Sequence, residues 1–183
     1  MDKKLLRQQM IAQLEALIGT KNKRQQVEQI SEALFASSEW QQAQTIGVTI
    51  STALEFPTAL IMRLAVAQGK KIAVPKSLPQ RKLEFHWVDA ATEYETTPFG
   101  VDEPLVEAVA DKNELDLLIV PGLLYRPNGY RIGFGGGFYD RYLADYAGQT
   151  VSLVFAEQLH DHWEVEPFDI PIQKLFVGTA TDN

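Results

Sequence analysis

The chain has 183 residues, 45% of them hydrophobic and 22% charged, with a formal net charge of −7 at pH 7. That length suits one domain with a sizeable core, and the acidic balance argues against a nucleic-acid surface, which needs a basic face. With no cysteine present, disulfides, thiolate nucleophiles and thiolate metal sites are excluded together.

Leu6, Met10, Leu14, Leu17 and Ile18 recur at helical spacing and Gly19 follows as a terminator, which predicts an amphipathic helix over 2–18. Val27, Ile30 and Leu34 continue the period in a second helix that should end near Trp40. Residues 45–50 read as a short β-rich run, 57–68 as a helix with proline in its first turn, and 71–75 as the next strand. Strand, helix, strand predicts a parallel unit. A strand is expected at 83–88, an irregular stretch at 92–104 and a helix at 105–110. Leu117, Leu118, Ile119 and Val120 are apolar without alternation, so 116–120 is expected to be a central strand covered on both faces. Beyond a glycine-bearing loop come a helix over 138–146, a strand over 150–155, an irregular acidic stretch and a last strand over 175–177.

There is no repeat, low-complexity segment or linker. The whole of 1–183 is therefore expected to form a single α/β domain, a Rossmann-like layered fold with a mainly parallel central sheet flanked by helices. The cationic first seven residues lead into no apolar run of signal-peptide or membrane-spanning length, so a cytoplasmic protein without a membrane partner is expected.

The informative segment runs from Asp116 to Leu143. A buried strand ends at Pro121 and Gly122, a loop turns through Pro127, Asn128 and Gly129, and Gly133, Gly135, Gly136 and Gly137 lead into a helix. In open α/β sheets ligands sit beyond the carboxyl ends of strands, and a glycine-rich turn lets backbone amides approach phosphate oxygens. This predicts an anion cradle, with a tight turn as the plainer alternative. Neither the Walker pattern nor GxGxxG fits, because Phe138 holds the third glycine's place and no Lys-Ser/Thr pair follows. Asp140, just inside the helix, suits magnesium beside a phosphate or simply a favourable place on the helix dipole. On the second view it contributes about 0.3–1 kcal/mol, so Asp140→Ala is expected to remove activity with little loss of fold. Arg131 suits charge neutralisation on a transferred phosphoryl group.

His160, Asp161 and His162 form no metal centre on this reading, since no third ligand stands at usable spacing. His86, alone in a strand, is expected to be structural. No G-x-S-x-G elbow is present, so nucleophilic hydrolysis has no support.

The segment resembles the 5-formyltetrahydrofolate cyclo-ligase (methenyltetrahydrofolate synthetase) family. An apolar strand ending in Pro-Gly, then a Gly-x-Arg-Leu-Gly-x-Gly-x-Gly-Tyr-Tyr-Asp-like run, appears here as Pro121-Gly122 followed by Gly129-Tyr130-Arg131-Ile132-Gly133-Phe134-Gly135-Gly136-Gly137-Phe138-Tyr139-Asp140. The likeness extends to a Lys-x-x-x-Arg opening, Lys3 to Arg7, and a Glu-x-x-Thr, Glu55 to Thr58. The resemblance implies ATP as co-substrate, Mg2+, and a small-molecule folate substrate for an enzyme expected to act as a monomer. It implies that Lys3, Lys4, Arg7, Arg131, Gly133, Phe134, Gly135, Gly136, Gly137, Phe138 and Tyr139 enclose ATP, with Arg131, Lys3 and Tyr139 in catalysis. Ile50, Glu55 and the loop from Phe134 to Phe138 fall where the family contacts folate. Asp140 falls at the metal position, and Asp169 is a second candidate because Gln173 stands where the family often carries Asp. Gly136 and Phe138 likewise replace Lys and Tyr of some members. A phosphate-binding domain without turnover and a sugar-phosphate isomerase remain the competing classes.

Overall fold

The computed structural model describes residues 2–181, so residues 1, 182 and 183 of the expected domain lie outside the described residues. Helix α1 (Lys3–Leu17) starts at Asp2, whose side chain caps the Lys4 NH, and buries Leu6, Met10, Leu14 and Leu17. Helix α2 (Lys21–Ala36) follows after a Thr20 cap. The chain then breaks at Ser37, earlier than the expected end near Trp40. Ser37 takes an extended conformation and caps a separate short helix, α3 (Ser38–Gln42), through the Trp40 NH. A serine hydroxyl competes with the helical ladder and favours such a cap.

The central sheet has seven strands: β1 (Thr45–Gly47), β2 (Lys71–Leu78), β3 (Lys82–Val88), β6 (Val109–Ala110), β7 (Leu117–Ile119), β10 (Gln149–Val154) and β11 (Lys174–Val177). Their order is β11-β10-β7-β1-β2-β3-β6. The pairs from β11 to β2 are parallel, and β3 and β6 are antiparallel. The mainly parallel expectation is met. The helix expected over 105–110 is not formed: Val109 and Ala110 pair with His86 and Phe85 as an edge strand, so tertiary pairing overrides local propensity there. Within the stretch expected to be irregular, β4 (Tyr94–Thr96) and β5 (Asp102–Pro104) form a hairpin.

The sheet divides two apolar layers by simple alternation. Ile46, Val48, Ile72, Val74, Leu117 and Ile119 pack on α1, α2 and α4 (Ala59–Ala67). Ala73, Leu118, Val120 and Phe85 face α5 (Phe138–Leu143) on the other side, where the Phe85 and Tyr142 rings lie 5.1 Å apart. Helix α5 ends three residues before the expected Tyr146.

Strand β1 stops short of its expected end at Ile50, and this shapes the molecule. The ladder finishes where the Val48 NH donates to the Ala73 carbonyl. From there β2 continues only against β3, in register from Ile72 opposite Val88 to Leu78 opposite Lys82. Pro75 is tolerated because its backbone faces the side that β1 has vacated, where no ladder bond is lost. On the same side the Ser77 NH finds the Glu103 carboxylate of β5 at 2.9 Å.

Candidate active site

Three segments that leave the carboxyl ends of parallel strands converge with the start of α1. The first follows β1. Thr58 Oγ1 donates to the Thr49 carbonyl at 2.6 Å and accepts from the Ser51 NH, and the Ser51 hydroxyl accepts from the Thr58 NH. This closes the loop from Thr49 to Thr58, and it explains why Thr58 does not cap α4 with its side chain. Inside the loop Glu55 accepts the Thr52 NH at 2.7 Å, while Ile50 packs half-buried at the edge of the larger core layer. Lys23 of α2 donates to the Ala53 carbonyl at 2.7 Å. Sequence spacing gives no sign of this tie, which spans 30 residues.

Glu55 borders a small cavity of about 30 Å³, together with Thr49, Thr58, Gly122, Tyr125 and Gln158. That is room for ordered water beside the carboxylate. Burial raises the Glu55 carboxyl above its usual range, against the Thr52 NH bond and the Lys23 charge that lower it. Burial also lowers the Lys23 ammonium, with Glu55 opposing.

The second segment follows β7. A short hairpin, β8 (Leu124–Tyr125) with β9 (Arg131–Ile132), delivers the chain to the glycine loop. Gly135 and Gly137 have φ of +107° and +68°, conformations that L side chains enter only with strain. Phe134 is exposed at the loop's crest. A side chain at Gly136 would press on the Phe138 ring at 2.5 Å, so the Lys of other members would require that ring to move. Helix α1 reaches this loop directly: Arg7 Nε donates to the Gly133 carbonyl at 2.8 Å. The structure thus brings together two motifs 126 residues apart. Lys4 is exposed on the same helix.

Beneath the loop lies a buried polar knot. Arg131 Nη1 donates to Asp140 Oδ1 at 3.0 Å and to the Ile170 carbonyl at 3.5 Å, and the Ile170 NH donates to the same Asp140 oxygen at 3.1 Å. The Arg131 side chain is 4% exposed. Its guanidinium stands 5.8 Å from the centre of the Tyr139 ring, and both Arg131 Nε and the Tyr139 hydroxyl are buried without partners among the described residues. Burial holds the Tyr139 phenol far above its usual range, and the nearby Glu55 charge adds to this. At neutral pH it is a hydrogen-bond donor. The knot corrects one expectation: Asp140 is not a lone carboxylate at a helix end, so its removal strands a buried guanidinium.

The third segment precedes β11. Lys3 Nζ lies 3.1 Å from Glu166 and 3.7 Å from Asp169, and Asp169 also accepts the Glu166 NH. Glu166 had no signal in the sequence. Gln173 is occupied elsewhere: its side-chain Oε1 accepts the Thr150 NH and its backbone NH donates to the Thr150 hydroxyl, both at 3.0 Å.

The donor set suits magnesium in one way only. Among the described residues no group of three His, Asp or Glu is placed to cage an ion, whereas Asp140 has one oxygen taken and one left. Mg2+ usually keeps several waters and binds through one or two carboxylates plus substrate phosphates, which fits Asp140 with Asp169 nearby. His162 Nδ1 lies 3.1 Å from Asp161 Oδ1, both side chains at the surface. His86 sits buried against Glu84 at 3.0 Å. Among the described residues no helix is long and apolar enough to cross a membrane.

A layered α/β chain with a small-residue loop held by an arginine of its first helix, over a carboxylate-guanidinium knot, has the architecture of the open-sheet class, in which ligands sit beyond the carboxyl ends of the strands. The model of the 5-formyltetrahydrofolate cyclo-ligase family matches residues 1–178, and the chain belongs to that family. A 5-formyltetrahydrofolate cyclo-ligase of Haemophilus influenzae is 31% identical over 147 residues, covering 76% of this chain and 79% of that protein. The mouse protein of the same name is 24% identical over 94% of this chain and 92% of its own. A 5,10-methenyltetrahydrofolate synthetase from Aquifex aeolicus superposes with a TM-score of 0.80 at 22% identity, covering 97% of this chain and 90% of that one. One from Mycoplasma pneumoniae gives 0.77 at 18%, covering 96% and 98%. These solved structures share the fold.

Proposed function

We propose that this chain is an ATP-dependent 5-formyltetrahydrofolate cyclo-ligase whose nucleotide lies along the glycine loop, and that it acts as a single domain and a monomer. The formyl oxygen of the substrate attacks the γ-phosphorus and ADP leaves. The nitrogen at position 10 then attacks the formyl carbon, loses its proton, and phosphate departs with the former formyl oxygen, giving the 5,10-methenyl ring. An amide oxygen leaves poorly as oxide and readily as phosphate, so the protein's task is positioning and charge neutralisation.

The observation that carries this reading is the Arg7 to Gly133 bond, which sets a fixed cation of α1 against a loop whose amides are free of bulky side chains. Arg7 and the loop from Gly133 to Phe138 bind the triphosphate, with Lys4 and Lys3 adding positive charge from the same helix. The Tyr139 hydroxyl donates a hydrogen bond within the pocket, and Arg131 keeps positive potential beneath the transferred group. Glu55 and Ile50 receive the folate. Asp140, with Asp169, would hold Mg2+, which when bound neutralises charge on the phosphate oxygens.

The test combines purified protein, ATP, Mg2+ and 5-formyltetrahydrofolate and follows the near-ultraviolet absorbance of the methenyl product. The expected rise depends on all three additions and matches ADP release mole for mole. Flat absorbance from folded protein rejects the proposal.

A further inference from the structure

Two guanidinium groups beside the glycine loop take no part in the ion pairs formed among the described residues, those of Arg7 and Arg81. A methyl added to Gly135 would lie 3.7 Å from Arg7 Cζ, and one added to Gly137 would lie 3.9 Å from Arg81 Nη1. The two glycines stand only two residues apart, which limits their separation to roughly 7 Å. Arg7 is anchored by its bond to Gly133, whereas Arg81 is exposed and its guanidinium has no hydrogen bond among the described residues. Two like charges brought to one small-residue loop, neither of them within an ion pair of a carboxylate among the described residues, favour an anion that joins them.

The path that carries Arg81 there is unusual. It belongs to the three-residue turn Pro79–Arg81 that joins β2 to β3, and the edge of β2 that β1 has vacated lets this ribbon run past the parallel sheet. Gln80 and Arg81 have φ of +62° and +58°, the two non-glycine residues with positive φ among those described. Glycine or asparagine ordinarily fills such positions. A strained conformation kept by a charged side chain at the mouth of a site points to use of that side chain.

We propose that Arg81 is a further ligand-binding residue, gripping an oxyanion of the bound ligand from the β2–β3 turn while Arg7 supplies the second cation from α1. This rests on the reading of the loop as the site of an ATP-dependent folate ligase. Two ligands of that reaction carry suitable oxyanions, the nucleotide through its phosphates and the folate through the carboxylates of its glutamate tail.

The test compares wild type with Arg81→Ala, Arg81→Lys and Arg81→Gly, the last of which takes the left-handed backbone without strain and preserves the turn. One arm measures affinity for a non-hydrolysable ATP analogue with Mg2+ by calorimetry in the absence of folate. The other measures KM for 5-formyltetrahydrofolate carrying one or several glutamates. Loss of Arg81 is expected to weaken one arm about tenfold, equivalent to about 1.4 kcal/mol, with Arg81→Lys intermediate and kcat little changed. Weakening in the nucleotide arm assigns the contact to phosphate, and weakening in the folate arm that grows with tail length assigns it to carboxylate. Affinities within twofold of wild type in both arms, from Arg81→Gly protein with an unchanged melting temperature, overturn the proposal. A wild type that binds nucleotide yet forms no methenyl product overturns the ligase reading and leaves the nucleotide arm to decide Arg81; one that binds neither ligand overturns both.

Discussion

Replacing Asp140 with alanine removes the acceptor shared by Arg131 Nη1 and the Ile170 NH, at 3.0 and 3.1 Å. The guanidinium left behind stays out of water, with its side chain 4% exposed and its Nε already without a partner among the described residues. Breaking one side of such a pair costs about 3–5 kcal/mol, and the 21% exposure of the Asp140 side chain favours the lower end. At about 2–4 °C per kcal/mol for a domain of this size, the variant should melt roughly 6–12 °C below wild type. Asp140→Asn keeps a neutral acceptor and should lose less than half as much. Thermal unfolding by circular dichroism at pH 7 measures this, with turnover followed separately at a temperature where every variant is folded. Arg131→Met with Asp140→Leu should recover most of the stability while remaining inactive. An Asp140→Ala melt within about 2 °C of wild type, less than 1 kcal/mol, refutes the assignment of structural weight to the knot.

Three further substitutions probe the rest of the site. Gly135→Ala should weaken binding of the ATP analogue about tenfold, near 1.4 kcal/mol, because φ of +107° forces the loop to rearrange; unchanged affinity by calorimetry contradicts the cradle. Tyr139→Phe removes a buried hydroxyl that lacks a partner, so melting should stay within about 1 kcal/mol of wild type, while kcat for methenyl formation falls at least about tenfold; an unaltered kcat removes Tyr139 from catalysis. Burial raises the Glu55 carboxyl, and a group raised in the folded state gives stability that is complete below its unfolded pKa and lost as pH climbs through the folded one. Glu55→Gln should therefore gain on wild type in urea unfolding as pH rises from the ordinary value of 4.5, and parallel curves from pH 4 to 7 count against the raised carboxyl.

Much of this was legible in the chain because periodicity reports burial. The stripe of α1 and the unbroken apolar run of β7 lie where their patterns place them, whereas the β8–β9 hairpin that stands between β7 and Gly133 was expected only as a loop. What escaped was non-local. Val109 and Ala110 became strand because β3 offers them an edge, which no window of sequence contains. The Arg131 pair with Asp140 spans only 9 residues, yet its weight comes from burial under the C-terminal segment. Lys23 and Glu166 reach the site from distant elements, and a lone lysine or glutamate carries no mark of that destination.

The early end of β1 gives the β2–β3 ribbon the character of a cantilever, supported at its root and met along the vacated flank only by the β4–β5 hairpin, through the Ser77 and Glu103 bond. Its reach is then an independent variable. Each residue pair trimmed from both strands retracts the tip by about 3.4 Å, and removing two pairs keeps every side chain on its original face while drawing Arg81 about 7 Å back from Gly137. A lineage can thus lengthen or shorten this arm without repacking the sheet beneath it.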